Sequence, residues 1–573
     1  MNTGPGAIQL FDAAVDVYEG GDAARALAMA EDLLRQYPGH GGALYMTGTL
    51  LLHAGRAAEA LPRLEAAVNT PARNGESLQM LGDAYFQLSR WPEAVAAYQA
   101  ARAGGRGDID LLSRLGVALK ETGDMDSAIR AFEAALQITP GDADLHSNLA
   151  IALNRRQDYR GAIAAYRRAL ELAPGTVDTW SNLATLLEQC NLLEEAEAAV
   201  QDGLAIDPQD QRLQMVSARC LRRRGELDTA IALLERNLLR NDLAPVVRRS
   251  MEFELGKAHD LKSDAARAFP HFVAGNALTA KVWPELRAGA DAFQEQLRHH
   301  VEIATPDWIA KLPPGPAEER PSPVFLVSFP RSGTTLLDTM LDAHPGIRVL
   351  EEEPLLGSIA ERLQFSAGYP EALMQLSDSD IRNLREEYWR GVGRVLGDTE
   401  STDLVLDKYP LYSMHAGLIH RLFPGARFIF ALRHPCDTVL SCFMQAFGKV
   451  PVLENFRDLE TTALTYTRVM DLWAAYRTGL DLKVHMLRYE ALLQDKQTEL
   501  AGLLGFLGLE WDESMQDHTR HAKRRGRIYT PSYHQVVQPL YGDAVDRWQK
   551  YRPYFGTALE RLKPYAEAFG YTL

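Results

Sequence analysis

Cysteine is scarce in this chain: 573 residues hold four, at positions 190, 220, 436 and 442. None stands in a CxxC pair, and so few thiols in so long a chain exclude a disulfide-stapled secreted scaffold; they read as free thiols in a reducing compartment. Positive charge is short as well, with 61 Lys and Arg against 76 Asp and Glu and a formal net charge of −15. No general field exists to draw in nucleic acid or an anionic membrane, and neither is expected as a partner. Up to residue 320 there are 33 basic against 44 acidic residues, so that half carries −11 and the remainder −4. An anionic ligand therefore needs a local basic cluster. Long apolar runs are missing, and the start MNTGPGAIQLFDAA lacks the basic-then-apolar pattern of a secretion signal, which leads us to expect a cytoplasmic protein with no membrane span. At 46 % hydrophobic and 24 % charged residues the composition is that of a globular protein and excludes a mostly disordered chain. The length suggests three to four domains, or fewer if one is a repeat array.

What the chain does have, first, is a period. Alanine recurs every 34 residues at Ala26, Ala60, Ala94, Ala128, Ala162, Ala196 and Ala230. Five residues before each stand Gly21, Gly55, Ser89, Gly123, Gln157, Asn191 and Gly225, where small and turn-forming residues prevail and a turn between paired helices is expected. Pro140, Pro174 and Pro208 keep the same register near the repeat ends and would stop one helix and start the next. Within DADLHSNLAIALNRRQDYRGAIAAYRRALELAP the apolar positions Leu149, Ala152 and Leu153, then Ala162, Ile163, Tyr166, Ala169 and Leu170, have helical spacing, so each unit reads as two amphipathic helices. This pattern resembles the tetratricopeptide repeat over about seven units, and residues 1–240 are assigned to it. After a slip of four residues Leu255, Gly256, Ala258, Ala268, Phe269 and Phe272 repeat the pattern, and residues 241–311 are read as an irregular helical extension. The resemblance implies an α-helical solenoid whose groove binds an acceptor protein, a peptide or another partner. A spacer or an oligomer contact is the alternative, and the oligomeric state is left open.

LPPGPAEERPSP, residues 312–323, reads as a proline-rich linker, and 324–573 as a second domain. It opens with the buried-strand run VFLVSF, then PRSGTT, then LLDTMLDAHP with helical periodicity. In such a strand, loop and helix the backbone amides at the helix N-terminus point at an anion, and Arg331, Ser332, Gly333, Thr334 and Thr335 form the loop that would hold it. The nucleoside-triphosphate version, GxxxxGK[ST], needs a lysine that is missing here, which counts against a P-loop kinase. RFIFALRHPCDTVLSCF places Arg433 at the end of a second strand and Ser441 eight residues later. LVLDKYPLY ends a third apolar run at Lys408, VHMLRYEALLQD turns from strand to helix at Tyr489, and KRRGRIYTPSYHQVVQPLYGDAVDRWQKY is the basic cluster sought. An arginine or a lysine at a strand end is, taken alone, most often a solvated charge.

Together these elements resemble the sulfotransferases that use 3′-phosphoadenosine 5′-phosphosulfate (PAPS), and PRSGTTLL with DAHPGIRVLEEEP resembles the protein-tyrosine sulfotransferases in particular. The resemblance implies a three-layer α/β, P-loop-like domain that transfers a sulfuryl group from PAPS to a hydroxyl, with tyrosine of a protein or peptide as the foremost acceptor and no metal. It implies that residues 331–335 hold the 5′-phosphosulfate, that Arg433 and Ser441 hold the 3′-phosphate, that Tyr489 packs near the adenine, and that Arg547 reaches the nucleotide. It further assigns Glu352 as the general base, eight residues after His344, with Glu351 as the fallback. Arg331 and Lys408 would stabilise charge at the transferring group and the leaving oxygen, and Ser532 would orient the donor. Crowding by Glu351 and Glu353 is expected to favour a protonated form of Glu352. The tyrosine-sulfating enzymes carry an arginine two residues beyond the base, where this chain has Pro354, so a small-molecule or carbohydrate acceptor is the alternative; a non-enzymatic repeat scaffold is the remaining one.

Overall fold

The computed structural model describes residues 5–71, 73–397, 404–517 and 544–573. The chain divides into two compact units, Met1–Leu213 and Gln214–Leu573. In the first, helices follow one another in pairs from Pro5–Glu19 to Leu193–Ile206. The alanine at the 34-residue position is fully buried each time it occurs, seven times in all, because only a methyl group fits where the two helices of a pair cross. Gly82 and Gly116 serve the same crossing, since a β-carbon there would lie 2.6 Å from the ring of Tyr98 or Phe132. All seven expected turn residues are left-handed, with φ of +90, +74 and +90° at Gly21, Gly55 and Gly123, +82° at Gly225, and +56, +76 and +62° at Ser89, Gln157 and Asn191. Each closes its helix with the same pair of backbone bonds, as at Gln157 N to Asn154 O (3.1 Å) and Asp158 N to Leu153 O (2.9 Å), so the last carbonyls of the helix are satisfied.

The second unit begins inside the helix Gln211–Arg223 and carries an eighth pair, Pro245–Leu261 and Ala265–Val282. Its turn, Ser263 at φ +60°, lies 38 residues after Gly225, the slip of four seen in the sequence. Beyond it, five parallel strands form a sheet in the order β2-β3-β1-β4-β5: β1 Val324–Val327, β2 Ile347–Glu351, β3 Leu404–Lys408, β4 Arg427–Leu432 and β5 Lys483–Arg488. Alternate residues feed two separate cores. Phe325, Val327, Val405, Phe428 and Phe430 enter one, while Val324, Leu326, Leu406, Ile429 and Ala431 enter the other. Two buried faces make three layers, with helices outside and the sheet within.

The proline-rich segment is fastened down. Arg385 donates to the carbonyls of Pro316 (2.5 Å) and Ala317 (3.1 Å), and Arg421 to those of Pro313 (2.9 Å) and Pro314 (3.0 Å). Phe253, Phe272, Leu297 and Ile309 upstream of it, and Leu312 at its start, belong to the same core as the sheet. The helices 245–303 are therefore part of the body on which the site is built. Among the described residues no helix is long and apolar enough to cross a membrane.

Candidate active site

In an open parallel sheet, ligands bind outside the strand carboxyl ends where the strand order reverses. Here that point is β1, with β3 on one side and β4 on the other. Ser328, just past β1, is held by both neighbours: its N–H donates to Pro410 O (2.9 Å), its hydroxyl to Ala431 O (2.5 Å), and its carbonyl accepts from Ser413 Oγ (3.0 Å). The chain then curls through two left-handed residues, Arg331 (φ +70°) and Gly333 (φ +89°), into the helix Thr334–Leu341. Glycine is required at 333 twice over, because a β-carbon would also lie 2.5 Å from the ring of Tyr489. No side chain caps the first turn of this helix, and amides at such an end favour an anion.

Arg331 Nε donates to Ser441 Oγ at 3.2 Å. The serine that the sequence pairs with Arg433 thus lies against Arg331. Burial, and then the positive charges of Arg433 and Arg547, press the Arg331 guanidinium below its ordinary range, against the opposing pull of Cys442 and Glu352. Arg433 is buried; Nη1 donates to Arg331 O (3.0 Å) and Nη2 to Ala544 O (2.5 Å). Its Nε–H is buried with no hydrogen-bond partner among the described residues. Tyr489 lies between the loop and this guanidinium, whose carbon is 5.1 Å from the ring centroid. Arg547, from the far end of the chain, is bound through its guanidinium to Asp260. Ser532 lies outside the described residues.

Glu351 and Lys408 are register partners at the ends of β2 and β3. The Lys408 side chain is fully buried, 2.8 Å from Glu352, 3.1 Å from Asp338 and 3.5 Å from Glu351. Burial disfavours the ammonium, but Asp338, Glu352 and Glu351 outweigh it and hold Lys408 protonated above the ordinary lysine range,. Glu353 stands apart from this cluster: burial raises its carboxyl, and its backbone oxygen accepts from the Tyr412 hydroxyl (2.9 Å), which in turn accepts from Leu356 N (3.0 Å). The crowding expected of three adjacent glutamates is therefore resolved by a cation that two of them share. Glu352 is left-handed (φ +51°) and its side chain is 39 % exposed, so one side is tied to Lys408 and the other is accessible.

Sequence reasoning missed Asp338. It is the one charged residue in TTLLDTML, a helix buried along its whole length, and a lone carboxylate in such a run is a usable signal because burial requires a partner. Tyr412 and Asp260 were missed as well.

An α/β domain thus carries, at the carboxyl end of its parallel sheet, a guanidinium-lined loop at a helix N-terminus and a lysine–carboxylate cluster. Residues 323–513 match the Sulfotransferase family, and residues 7–77, 80–143 and 153–220 match tetratricopeptide repeat models; the chain joins tetratricopeptide repeats to a sulfotransferase-family domain. It is 25 % identical over 374 residues to an uncharacterized protein of Aquifex aeolicus (63 % of this chain, 46 % of that one). It is 24 % identical over 238 residues to protein-tyrosine sulfotransferase 1 of Danio rerio (39 % and 65 %). The chain thus spans between about half and two thirds of the length of these relatives. Among solved structures it is similar to YrrB, a tetratricopeptide repeat protein described as having an unusual peptide-binding site, with a TM-score of 0.28 and 24 % identity over 29 % of this chain and 87 % of that one.

Proposed function

We propose that the chain transfers a sulfuryl group from PAPS to a hydroxyl, with tyrosine of a protein or peptide as acceptor. The observation that carries this reading is the gathering, at one sheet edge, of Arg331 and Arg433 around an uncapped helix N-terminus and beside the Lys408–Glu352 pair. The residues present fit the donor: the Arg433 Nε–H is buried and unused among the described residues, and the missing side chain at Gly333 lets the Tyr489 ring lie against the loop. PAPS supplies an activated sulfuryl group. Residues 331–335 would hold its phosphosulfate end, Arg433 its 3′-phosphate with Ser441 reached through Arg331, and Tyr489 its base; Ser532 is the proposed orienting hydroxyl.

Glu352 accepts the acceptor's proton, from the open side of its carboxylate, while Lys408 fixes the other side. As the bond from acceptor oxygen to sulfur forms and the bond from sulfur to the phosphate oxygen breaks, negative charge grows on the departing oxygen. Arg331 and Lys408 are the cations held for it in advance, which is the arrangement that lowers a barrier most. The matched family and the relatives' names support the sulfotransferase class, and the spacing of Glu352 supports the acceptor. The repeats serve to bind the acceptor or its carrier. Exposed Pro354, the N-cap of the helix Leu355–Ala367, offers no charge to an acidic peptide, which makes a carbohydrate or small-molecule hydroxyl the second reading.

Calorimetry with adenosine 3′,5′-bisphosphate in the presence of EDTA tests the donor site, and mass spectrometry of a peptide library incubated with PAPS tests the acceptor. Binding is expected to survive the chelator, and Arg433→Ala to weaken it by about 1.5–3 kcal/mol, the worth of a charge-assisted bond. Tighter binding of ATP, or loss of binding with EDTA, would overturn the reading in favour of a kinase.

A further inference from the structure

The helix Pro245–Leu261 ends on a carboxylate that the proposed reaction leaves unused. Asp260 is 7 % exposed, and residues from nearly three hundred positions away in the chain occupy both of its oxygens. Arg547 Nε donates to Oδ1 at 3.1 Å and Arg547 Nη2 to Oδ2, while the Tyr551 hydroxyl donates to Oδ1 at 2.7 Å. A two-pronged contact of this kind fixes the plane of a guanidinium as well as its place.

The segment bearing Arg547 is tied to the donor side of the sheet. Asp546 N and Trp548 N each donate to Asp437 at 2.8 Å, and Ala544 O accepts from Arg433. Asp437 lies on the helix Pro435–Phe443 that follows β4, so the end of one strand supplies Arg433 and anchors the backbone on both sides of Arg547. Arg433 also donates to Arg331 O at 3.0 Å, so it joins the loop to the segment bearing Arg547. Asp260 holds Arg547 and Asp437 holds the backbone on either side of it.

We propose that Asp260 is a positioning residue of the donor site: the last helical pair supplies the carboxylate that locks Arg547 beside Arg331 and Arg433, so that three guanidiniums address the phosphates of the adenine nucleotide. This rests on the donor reading above. A guanidinium already fixed has less freedom to lose when the ligand arrives, and that saving appears as affinity. The helical extension is in this respect a wall of the nucleotide site.

The test is a double-mutant cycle on the full chain, reading dissociation constants for adenosine 3′,5′-bisphosphate and for adenosine 5′-monophosphate by calorimetry. Asp260→Asn should weaken bisphosphate binding about tenfold and lower its preference over the monophosphate, and it should add nothing in an Arg547→Ala background. Tyr551→Phe, which removes only a hydroxyl, should move binding in the same direction by less, and it stands in if Asp260→Asn does not fold. A variant with lowered thermal stability but unchanged affinity and preference would make Asp260 a structural staple and overturn the inference. So would equal losses from Asp260→Asn with and without Arg547. A wild-type chain that binds neither nucleotide would overturn the donor reading itself, and the inference with it.

Discussion

Replacing Lys408 with methionine removes a buried cation that lies within 4 Å of three carboxylates. In the wild type the ammonium is 2.8 Å from Glu352, 3.1 Å from Asp338 and 3.5 Å from Glu351, and neither the Lys408 nor the Asp338 side chain has any exposed surface. Removing one partner of a buried pair costs about 3–5 kcal/mol, and the fully buried Lys408–Asp338 pair places the expected cost in that range at pH 7. Asp338→Asn is the counterpart. It leaves Lys408 with two carboxylates and relieves their mutual repulsion, so the cost should be about 1–2 kcal/mol, that of a weakened hydrogen bond. The pH dependence follows by linkage. With Lys408 gone, the crowded carboxylates hold protons more tightly folded than unfolded, so the stability of Lys408→Met falls as pH rises from about 5 to 7. In the wild type the lysine is raised, its contribution is complete below about 10.4 and is lost only as pH climbs through the folded value,, so the lysine itself adds no slope between pH 5 and 7. Urea midpoints at pH 5 and 7, read by pulsed hydrogen exchange in peptides from β1 and β3, report on this unit alone. A penalty that is the same at both pH values, or an Asp338→Asn penalty as large as that of Lys408→Met, would refute the reasoning.

Glu352→Gln should leave bisphosphate affinity nearly intact and lower turnover by roughly a hundredfold or more, the usual worth of a positioned base; comparable losses in Glu351→Gln would move the assignment by one residue. Burial pushes the Asp407 carboxyl up to about 8, opposed by the Tyr388 hydrogen bond and supported by nearby Glu353. The folded chain therefore keeps a proton that the unfolded chain releases at about 4, and stability falls by up to about 1.4 kcal/mol per pH unit across that interval and levels off above it. Asp407→Asn should remove that slope, and parallel wild-type and variant curves between pH 5 and 8 would count against it. A chain begun at Pro321 loses Phe253, Phe272, Leu297, Ile309 and Leu312 from the core shared with the sheet and should not fold by circular dichroism, whereas a chain begun at Gln214 retains the whole unit and should.

The repeats are legible in the sequence because their determinants are local: a left-handed turn, a buried alanine and a helix stop recur within one 34-residue unit, and each can be read without knowing its neighbours. The strand ends are legible for the same reason, since Arg331, Glu352, Lys408, Arg433 and Tyr489 each follow an apolar run. What could not be read was who meets whom at those ends. Ser441 faces Arg331, and Lys408 gathers carboxylates from β2 and from the helix after β1. The proline-rich stretch carries a true local signal, because its residues cannot form a helix. Yet the partners that pin its carbonyls, Arg385 and Arg421, lie on later helices, and no linear pattern announces them. Asp260 and Arg547, separated by 287 positions, are the extreme case.

Backbone conformation distinguishes structural from chemical constraint in a way the side chains do not. Left-handed non-glycine residues cost on the order of 1–2 kcal/mol each, and this chain holds eight of them among its described residues. Ser89, Gln157, Asn191 and Ser263 share the repeat's turn position, where two recovered backbone bonds per turn offset the cost, and Asp481 closes the helix Leu459–Gly479 in a similar turn, with Leu482 N on Arg477 O at 3.3 Å. Arg331 and Glu352 have no such period; each follows the carboxyl end of a strand, and each carries a proposed catalytic side chain. Asp546 directly precedes Arg547. Strain at a helix end belongs to the turn that recovers its bonds, whereas strain just past a strand, beside a charged group, persists because surrounding contacts over-determine it. At Glu352 those contacts are its own N–H on Lys408 O at 2.8 Å, its carboxylate on the Lys408 ammonium, and the Tyr412 hydroxyl clamping the next turn. The fold thus spends its least comfortable backbone where the direction of a carboxylate matters most.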